Sequence, residues 1–339
     1  MSGSNLHDYQ DKKPDASVIH DNYWPSSNQD HSDDEDDAPQ HQAKRGSGGK
    51  SSKIFQSILK GFGQSSAKKA APWGGYHRDG ILPDSKRERE RNDLQHVIMA
   101  KVWGGQTFLS PAVKPMTVLD VGTGSGLWAL EFGQNNPGSR VLGIDIAPST
   151  PPFHVPNCRF ETMDVTEPWK IDPGFDFIHA RGLPDFPGPT RQAVFDAMWD
   201  HLNPGGWLEL TNWIFKLRSP NHSTEGSRLE EWYNLIEKAI SSSGGYLHFP
   251  KLWPKYMGKK HAKHITVRRY PVPLNAWAPS KSSQEIGNMM AKNTLSLIGT
   301  GTPPAFSQGL DWADDMVKSI VADCHRELPD PKYHSYMIL

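Results

Sequence analysis

Cysteine is almost missing from this chain, and the two present, Cys158 and Cys324, lie far apart with no metal-ligand spacing. That excludes a disulfide scaffold and a cysteine-metal site, and predicts two buried, reduced thiols in an intracellular compartment. No apolar run approaches the length of a membrane span, and the N-terminus MSGSNLHDYQDKKPD has no apolar signal region. No transmembrane segment is expected, so the protein should be soluble unless a partner tethers it. Charge of one sign is also lacking: 37 Lys and Arg stand against 38 Asp and Glu, and the pI is about 7.0. Without a global field, direct nucleic-acid binding is not indicated. The 15 histidines form no H-x-x-x-H or H-E-x-x-H array, and no G-x-S-x-G elbow occurs, so neither a metal enzyme nor a serine hydrolase is expected.

Apolar residues are plentiful enough for a substantial core: they make up 36% of the chain, with 12 Trp and 13 Phe in 339 residues. The simplest division is one catalytic domain behind a tail. Residues 1–72 are too polar to repay chain ordering and are expected to be disordered. They are polarised: residues 1–37 carry ten acids against two lysines, and residues 38–72 carry seven basic residues and no acid. Lys44, Arg45, Lys50 and Lys53 read either as a nuclear import signal or as a solvated tail. Within residues 53–63, Ile54, Phe55, Ile58, Leu59 and Phe62 fall at helical spacing. Such a short helix is marginal alone, so it would order against a partner, a membrane surface or its own domain.

The most informative stretch is TVLDVGTGSG, residues 117–126. Val118, Leu119 and Val121 read as a short buried strand that runs into Gly122, Thr123, Gly124 and Gly126 before the helical LWALEFGQ. Glycine lets the backbone close on a ligand and adopt positive φ, and the helix start offers N–H groups to an anionic group. Leu127 stands where a nicotinamide-binding turn has its third glycine, and Asp120 lies two residues before the first; both favour S-adenosyl-L-methionine over a dinucleotide. The next strand, RVLGIDI, ends in Asp145, a carboxylate suited to both ribose hydroxyls of either cofactor. CRFETMDV ends in Asp164, suited to the adenine amino group, with Met163 and Val165 flanking the ring.

VLDVGTGSGLWALEFG, VLGIDIAPSTPP, FETMDVTEPW, FDFIHARGLPDF and LNPGGWLEL, in this order, resemble the consecutive motifs of class I methyltransferases of the fungal LaeA-like group. The resemblance extends upstream through YHRDGILPDSKRERERNDLQHVIMAKVWGGQTFLSP and downstream to HSYMIL, over roughly residues 73–339. It implies a Rossmann-like α/β domain with a mostly parallel seven-stranded sheet and helices on both faces. The cofactor half would span about 110–215 and the acceptor roof about 216–339. By the same resemblance Tyr76 would close over the methionine end of the cofactor, and regulatory protein partners are expected, velvet-type proteins or another methyltransferase among them. The compartments implied are cytoplasm and nucleus.

A helix begins near residue 83, with Ser85 and Glu88 as a capping box, Leu94, Val97, Ile98 and Val102 as an apolar stripe and Gly104–Gly105 as its stop. Arg87, Arg89 and Arg91 read as its solvated face. FDFIHAR is a fourth strand, 189–202 a helix and WLELTNWIF a fifth strand. His179 and Arg181 end the fourth strand at the edge where open parallel sheets bind ligands. They are candidate catalytic groups facing the methyl group or acceptor, and the competing reading is a hydrogen-bonded structural role. Residues 226–242 read as a helix, HITVRRYPVPLNAW as a strand, and KLWPKYMGKK and IGTGTPPAFSQG as segments roofing the acceptor site. HSYMIL reads as a short last strand at a weak sheet edge.

Displacement at a sulfonium needs no acid for its leaving group, so alignment can carry catalysis, with a base only where the acceptor must lose a proton. No D/N-P-P-Y/F motif follows the fourth strand, so amide or adenine amino methylation is not supported. Methyl transfer to a protein or small molecule is the leading function; a cofactor-binding regulatory module acting through partners is second, and a nicotinamide dehydrogenase third.

Overall fold

The protein is represented by a computed structural model that describes residues 86–111, 116–147, 154–242 and 244–339. The tail, the amphipathic segment 53–63, Tyr76 and Ser85 lie outside these residues. Strands buried on both faces run apolar instead of alternating, and three such runs become β1 (Thr117–Val121), β2 (Arg140–Asp145) and β4 (Phe175–Arg181). With β3 (Cys158–Thr162) and β5 (Leu202–Thr211) they form a five-stranded sheet, ordered β3-β2-β1-β4-β5, in which every pairing is parallel. The chain winds one way from β1 to β3 and the other from β4 to β5. Carboxyl ends of β1 and β4 therefore meet at a topological switch, the crevice where such sheets bind ligands.

Helices cover both faces. On one, Trp128 and Phe132 of α2 (Leu127–Asn135) pack on Val118, Val141 and Phe177. On the other, Val194, Phe195 and Met198 of α3 (Gly188–Asp200) pack on Leu119, Ile144 and Ile178. A second core joins α1 (Lys86–Val102), α4 (Arg228–Ser242), α6 (Lys281–Gly309) and α7 (Asp314–Glu327). The α1 stripe is part of it: Ile98 is fully buried, and Leu94 and Val102 nearly so. Each such side chain contributes roughly 1.5–3 kcal/mol, so α1 belongs to the fold and is not a detachable flap. Its end is a Schellman motif: Gly104 N–H donates to Lys101 O (3.2 Å) and Gly105 N–H to Ala100 O (2.7 Å).

The structure corrects several expectations. Among the described residues the sheet has five strands, not seven, because the run WLELTNWIF breaks at Asn212, whose Nδ2 donates to Leu183 O and whose Oδ1 accepts from Trp213 N–H. Past the break, β6 (Ile214–Arg218) joins β7 (Pro271–Pro273) and β8 (Tyr336–Ile338) in a separate sheet ordered β6-β8-β7. The last strand is thus the centre of a small antiparallel sheet and not a weak edge. Within HITVRRYPVPLNAW only Pro271–Pro273 is strand.

The segment IGTGTPPAFSQG, which its glycines and prolines would make a loop, lies inside α6, Pro303 and Pro304 included. Tertiary packing overrides the missing N–H groups: Ile298, Ala305 and Phe306 are buried, and Trp232 Nε1 donates to Thr302 Oγ1 at 2.7 Å. Nor is Arg91 solvated. Its guanidinium pairs with Glu88 and donates to Asn293 Oδ1 of α6, and both ionic side chains are under a tenth exposed. Both thiols are free, Cys324 buried and Cys158 half-buried, and burial pushes their pKa up, to about 12 and about 11.

Candidate cofactor site and the charges beneath it

The turn after β1 is built on three left-handed residues, Gly122 (φ 70°), Gly124 (φ 58°) and Gly126 (φ 78°). Such angles strain any residue with a Cβ. Gly122 and Thr123 N–H both donate to Ile144 O at 2.9 Å, and Gly126 N–H closes the turn on Thr123 O. Gly124 N–H donates to Asp145 Oδ2 at 2.8 Å, while Asp145 Oδ1 accepts from Ala147 N–H at 3.1 Å. A Cβ built on Gly124 would meet no protein atom within 4 Å. The turn therefore faces open space with the end of β2 beside it.

Three of the acids named from the sequence come together here in different ways. Asp145 and Asp164 end β2 and the stretch after β3, joined by Met163 N–H donating to Asp145 O at 2.8 Å. Asp164 is held by Thr166, whose N–H and Oγ–H both donate to Oδ1; Met163 and Val165 are half-buried on either side. This set fits an adenosine group: a half-buried carboxylate for the ribose, a second for the adenine edge and apolar flanks. Asp120 instead lies beneath the turn, 3% exposed. Its Oδ2 accepts from Thr123 Oγ at 2.6 Å and its Oδ1 from His179 Nδ1 at 2.8 Å.

His179 is sealed beneath the edge, and Arg181, the part-buried last residue of β4, is tied into a hydrogen-bond chain. His179 has no exposed surface; its ring stacks on Trp128 with centroids 3.7 Å apart, and its Nδ1 proton is committed to Asp120. Through Asp120 it braces Thr123, the hydrogen-bonded structural role, while its Nε2 is buried with no partner among the described residues. Arg181, two residues on and on the same pleat face, donates from Nη2 to His96 Nδ1 at 2.7 Å. His96 donates from Nε2 to Glu131 Oε2, also at 2.7 Å. The ring accepts from a guanidinium on one side and donates to a carboxylate on the other, which requires the neutral form. Burial, then Arg181, lowers its pKa accordingly.

Sequence reading missed His96, Glu131 and Asp93. Asp93 reaches from α1 to the glycine turn, where Ser125 Oγ–H donates to it. Burial pushes its carboxyl up to about 6. The folded protein thus holds this proton at pH values where the unfolded chain has released it, so stability falls as pH rises from about 4 to about 6 and the penalty persists above. Asp93→Asn is expected to raise the melting temperature at pH 7.5 by roughly 4–8 °C, for about 2 kcal/mol, and to change nothing at pH 4. Melting curves at the two pH values check this; equal shifts at both would refute the titration argument.

Beyond the turn, Leu183 bounds a narrow apolar cleft with Phe186, Val194, Met198, Phe249 and Trp253, at the carboxyl ends of β4 and β5. Leu183 also sits against Gly122, where an added Cβ would lie 2.5 Å from its Cδ2, so turn and cleft adjoin. Arg191 at the cleft is bound by Asp185 through Nε (2.6 Å) and Nη2 (2.9 Å).

A family model described as a methyltransferase domain matches residues 94–293. Methyltransferase pytC of Aspergillus terreus is 29% identical over 251 residues, 72% of this chain and 76% of that protein. The secondary metabolism regulator laeA of Aspergillus fumigatus is 27% identical over 277 residues, 78% of this chain and 73% of that one. The protein-methionine methyltransferase laeA of Emericella nidulans is 26% identical over 264 residues, covering 76% and 70%. Glycine turn, strand-end acids and a family match over more than half of the chain agree: it belongs to the methyltransferase-domain family, as a LaeA-like class I enzyme that uses S-adenosyl-L-methionine.

Proposed function

We propose that this methyltransferase serves fungal regulation by methylating a protein or small-molecule acceptor that presents an apolar group bearing an already unprotonated nucleophile. The observation that carries the reading is the cleft beside Leu183: among the described residues that line it there is no histidine or carboxylate, and its one charged group, Arg191, is paired with Asp185. A nucleophile that must lose a proton would find no base there, whereas a thioether or neutral amine needs none. The Emericella relative's name, a protein-methionine methyltransferase, agrees with the thioether choice. Regulatory protein partners, velvet-type among them, and residence in cytoplasm and nucleus complete the proposal, in keeping with the Aspergillus relative's name, a secondary metabolism regulator.

S-adenosylmethionine brings an activated methyl group on sulfur, so the chain's task is placement. Asp145 would hold the ribose, Asp164 with Met163 and Val165 the adenine, and the turn around Gly124 the methionine portion. Asp145→Ala is expected to weaken binding ten- to a hundredfold in calorimetry, the value of roughly 1.5–3 kcal/mol for hydrogen bonds to a charged group. Labelled methyl transfer to protein and small-molecule fractions of a fungal extract tests the acceptor. Label on hydroxyl oxygens, thiol sulfurs or backbone amide nitrogens, all of which must lose a proton, or none at all, would sink the reading. An Asp145→Ala strain with a normal phenotype would favour the second reading, a binding module acting through partners.

A further inference from the structure

Residues 251–269, KLWPKYMGKKHAKHITVRR, hold seven Lys and Arg and no acid, in a chain whose 37 Lys and Arg and 38 Asp and Glu nearly balance overall. The stretch starts at the cleft wall with α5 (Trp253–Lys259) and then runs exposed to the small sheet. Every residue from Lys263 to Arg269 is exposed. Ile265 and Val267, at 39% and 52% exposure, are among the most exposed large apolar side chains described. The Lys260 ammonium is bound by Asp196 (2.9 Å) and Asp200 (3.4 Å). No described carboxylate pairs with Lys255, Lys259, Lys263, Arg268 or Arg269. An exposed strip that combines free cations with alternate β-branched apolar residues is costly to leave bare and suits an acidic, partly apolar polypeptide.

We propose that this strip, Lys255 to Arg269, seats the chain's own acidic segment, residues 18–37. That segment, VIHDNYWPSSNQDHSDDEDD, complements the strip twice. Residues 30–37 hold six acids and no Lys or Arg, and Val18, Ile19, Tyr23 and Trp24 supply the apolar partners. Its reach is sufficient. The 48 residues 38–85 separate it from α1, and the contour length of that many residues, up to about 160 Å, far exceeds the width of a domain this size. Tethering gives an effective concentration in the millimolar range, so contacts too weak to hold a separate peptide suffice in cis. A nucleic acid or anionic membrane fits less well, because the acidic segment on the same chain would compete for the same cations. Seated there, the tail lies next to the helix that walls the acceptor cleft.

The test uses the full chain beside a variant neutralised at the tail, Asp33→Asn, Asp34→Asn, Glu35→Gln, Asp36→Asn and Asp37→Asn. Tryptic cleavage after Lys263, Arg268 and Arg269 is expected to be at least about fivefold slower in the unmodified chain at low salt, the protection vanishing near 0.5 M salt as charges are screened. Carbodiimide should join residues 33–37 to Lys255, Lys259 or Lys263 within the monomer band. A second variant, Lys263→Glu with Arg268→Glu and Arg269→Glu, should lose these cross-links without a change in melting temperature. Equal cleavage of both chains overturns the proposal, as do cross-links found only in a dimer band. Binding of an oligonucleotide or anionic vesicle that is equally tight with either tail would assign the strip to an external polyanion and overturn it as well.

Discussion

Arg181→Met is expected to cost about 3–5 kcal/mol of stability, the usual toll for leaving a buried charge without its partner, and to lower the melting temperature by roughly 10 °C or more. The part-buried guanidinium lies among Asp93, Asp120, Glu131 and Glu209, all of which raise its pKa against the lowering effect of burial. Removing it strands these carboxylates in a poorly solvated space and takes from His96 the donor that fixes its tautomer. Met fills a similar volume, so the loss is electrostatic. Adding Glu131→Gln should restore part of the stability, since one stranded charge then disappears while a hydrogen bond to His96 Nε2 survives. Thermal unfolding followed by circular dichroism decides. A melting temperature within about 2 °C of the parent, together with a large fall in kcat, would return Arg181 to the reacting atoms.

The same residue marks where the sequence ceases to be readable. Strands, glycine turn and strand-end acids were legible because their signals are local: a buried run has its apolar residues side by side, and Asp145 and Asp164 follow directly from strands that could be seen to end. The stripe and glycine stop of α1 were legible for the same reason. Arg181, His96 and Glu131 meet across 85 and 35 positions, and no periodicity links them. His179 looked available because it ends a strand at the ligand edge; its pleat face, which puts it against Trp128 and Asp120, depends on where α2 lies. The proline-containing half of α6 is helical through packing on α4, a cause absent from its own segment. The count of strands failed at Asn212, whose side chain bonds to Leu183 O, 29 positions earlier.

Gly124→Val should abolish S-adenosylmethionine binding, by more than about a hundredfold or roughly 2.7 kcal/mol, while leaving a folded protein. The two neighbouring glycines cannot give so clean a result. A Cβ on Gly122 would lie 2.5 Å from Leu183 Cδ2, so a side chain there disturbs the cleft, and Gly126 caps α2. At Gly124 no protein atom stands within 4 Å of the added carbon. The cost to folding is then the left-handed backbone alone, φ 58°, on the order of 1–3 kcal/mol for a residue with a Cβ. The new methyls enter the open space off the turn, where the proposed seat of the methionine portion lies. Gly124→Ala keeps the backbone strain with less bulk and should fall between the two. Calorimetry with S-adenosylmethionine, paired with a melting curve for each variant, separates strain from occlusion. If Gly124→Val binds within about threefold of the parent, the turn is not the cofactor's seat; if it fails to fold while Gly124→Ala folds and binds normally, the space at Gly124 is structural.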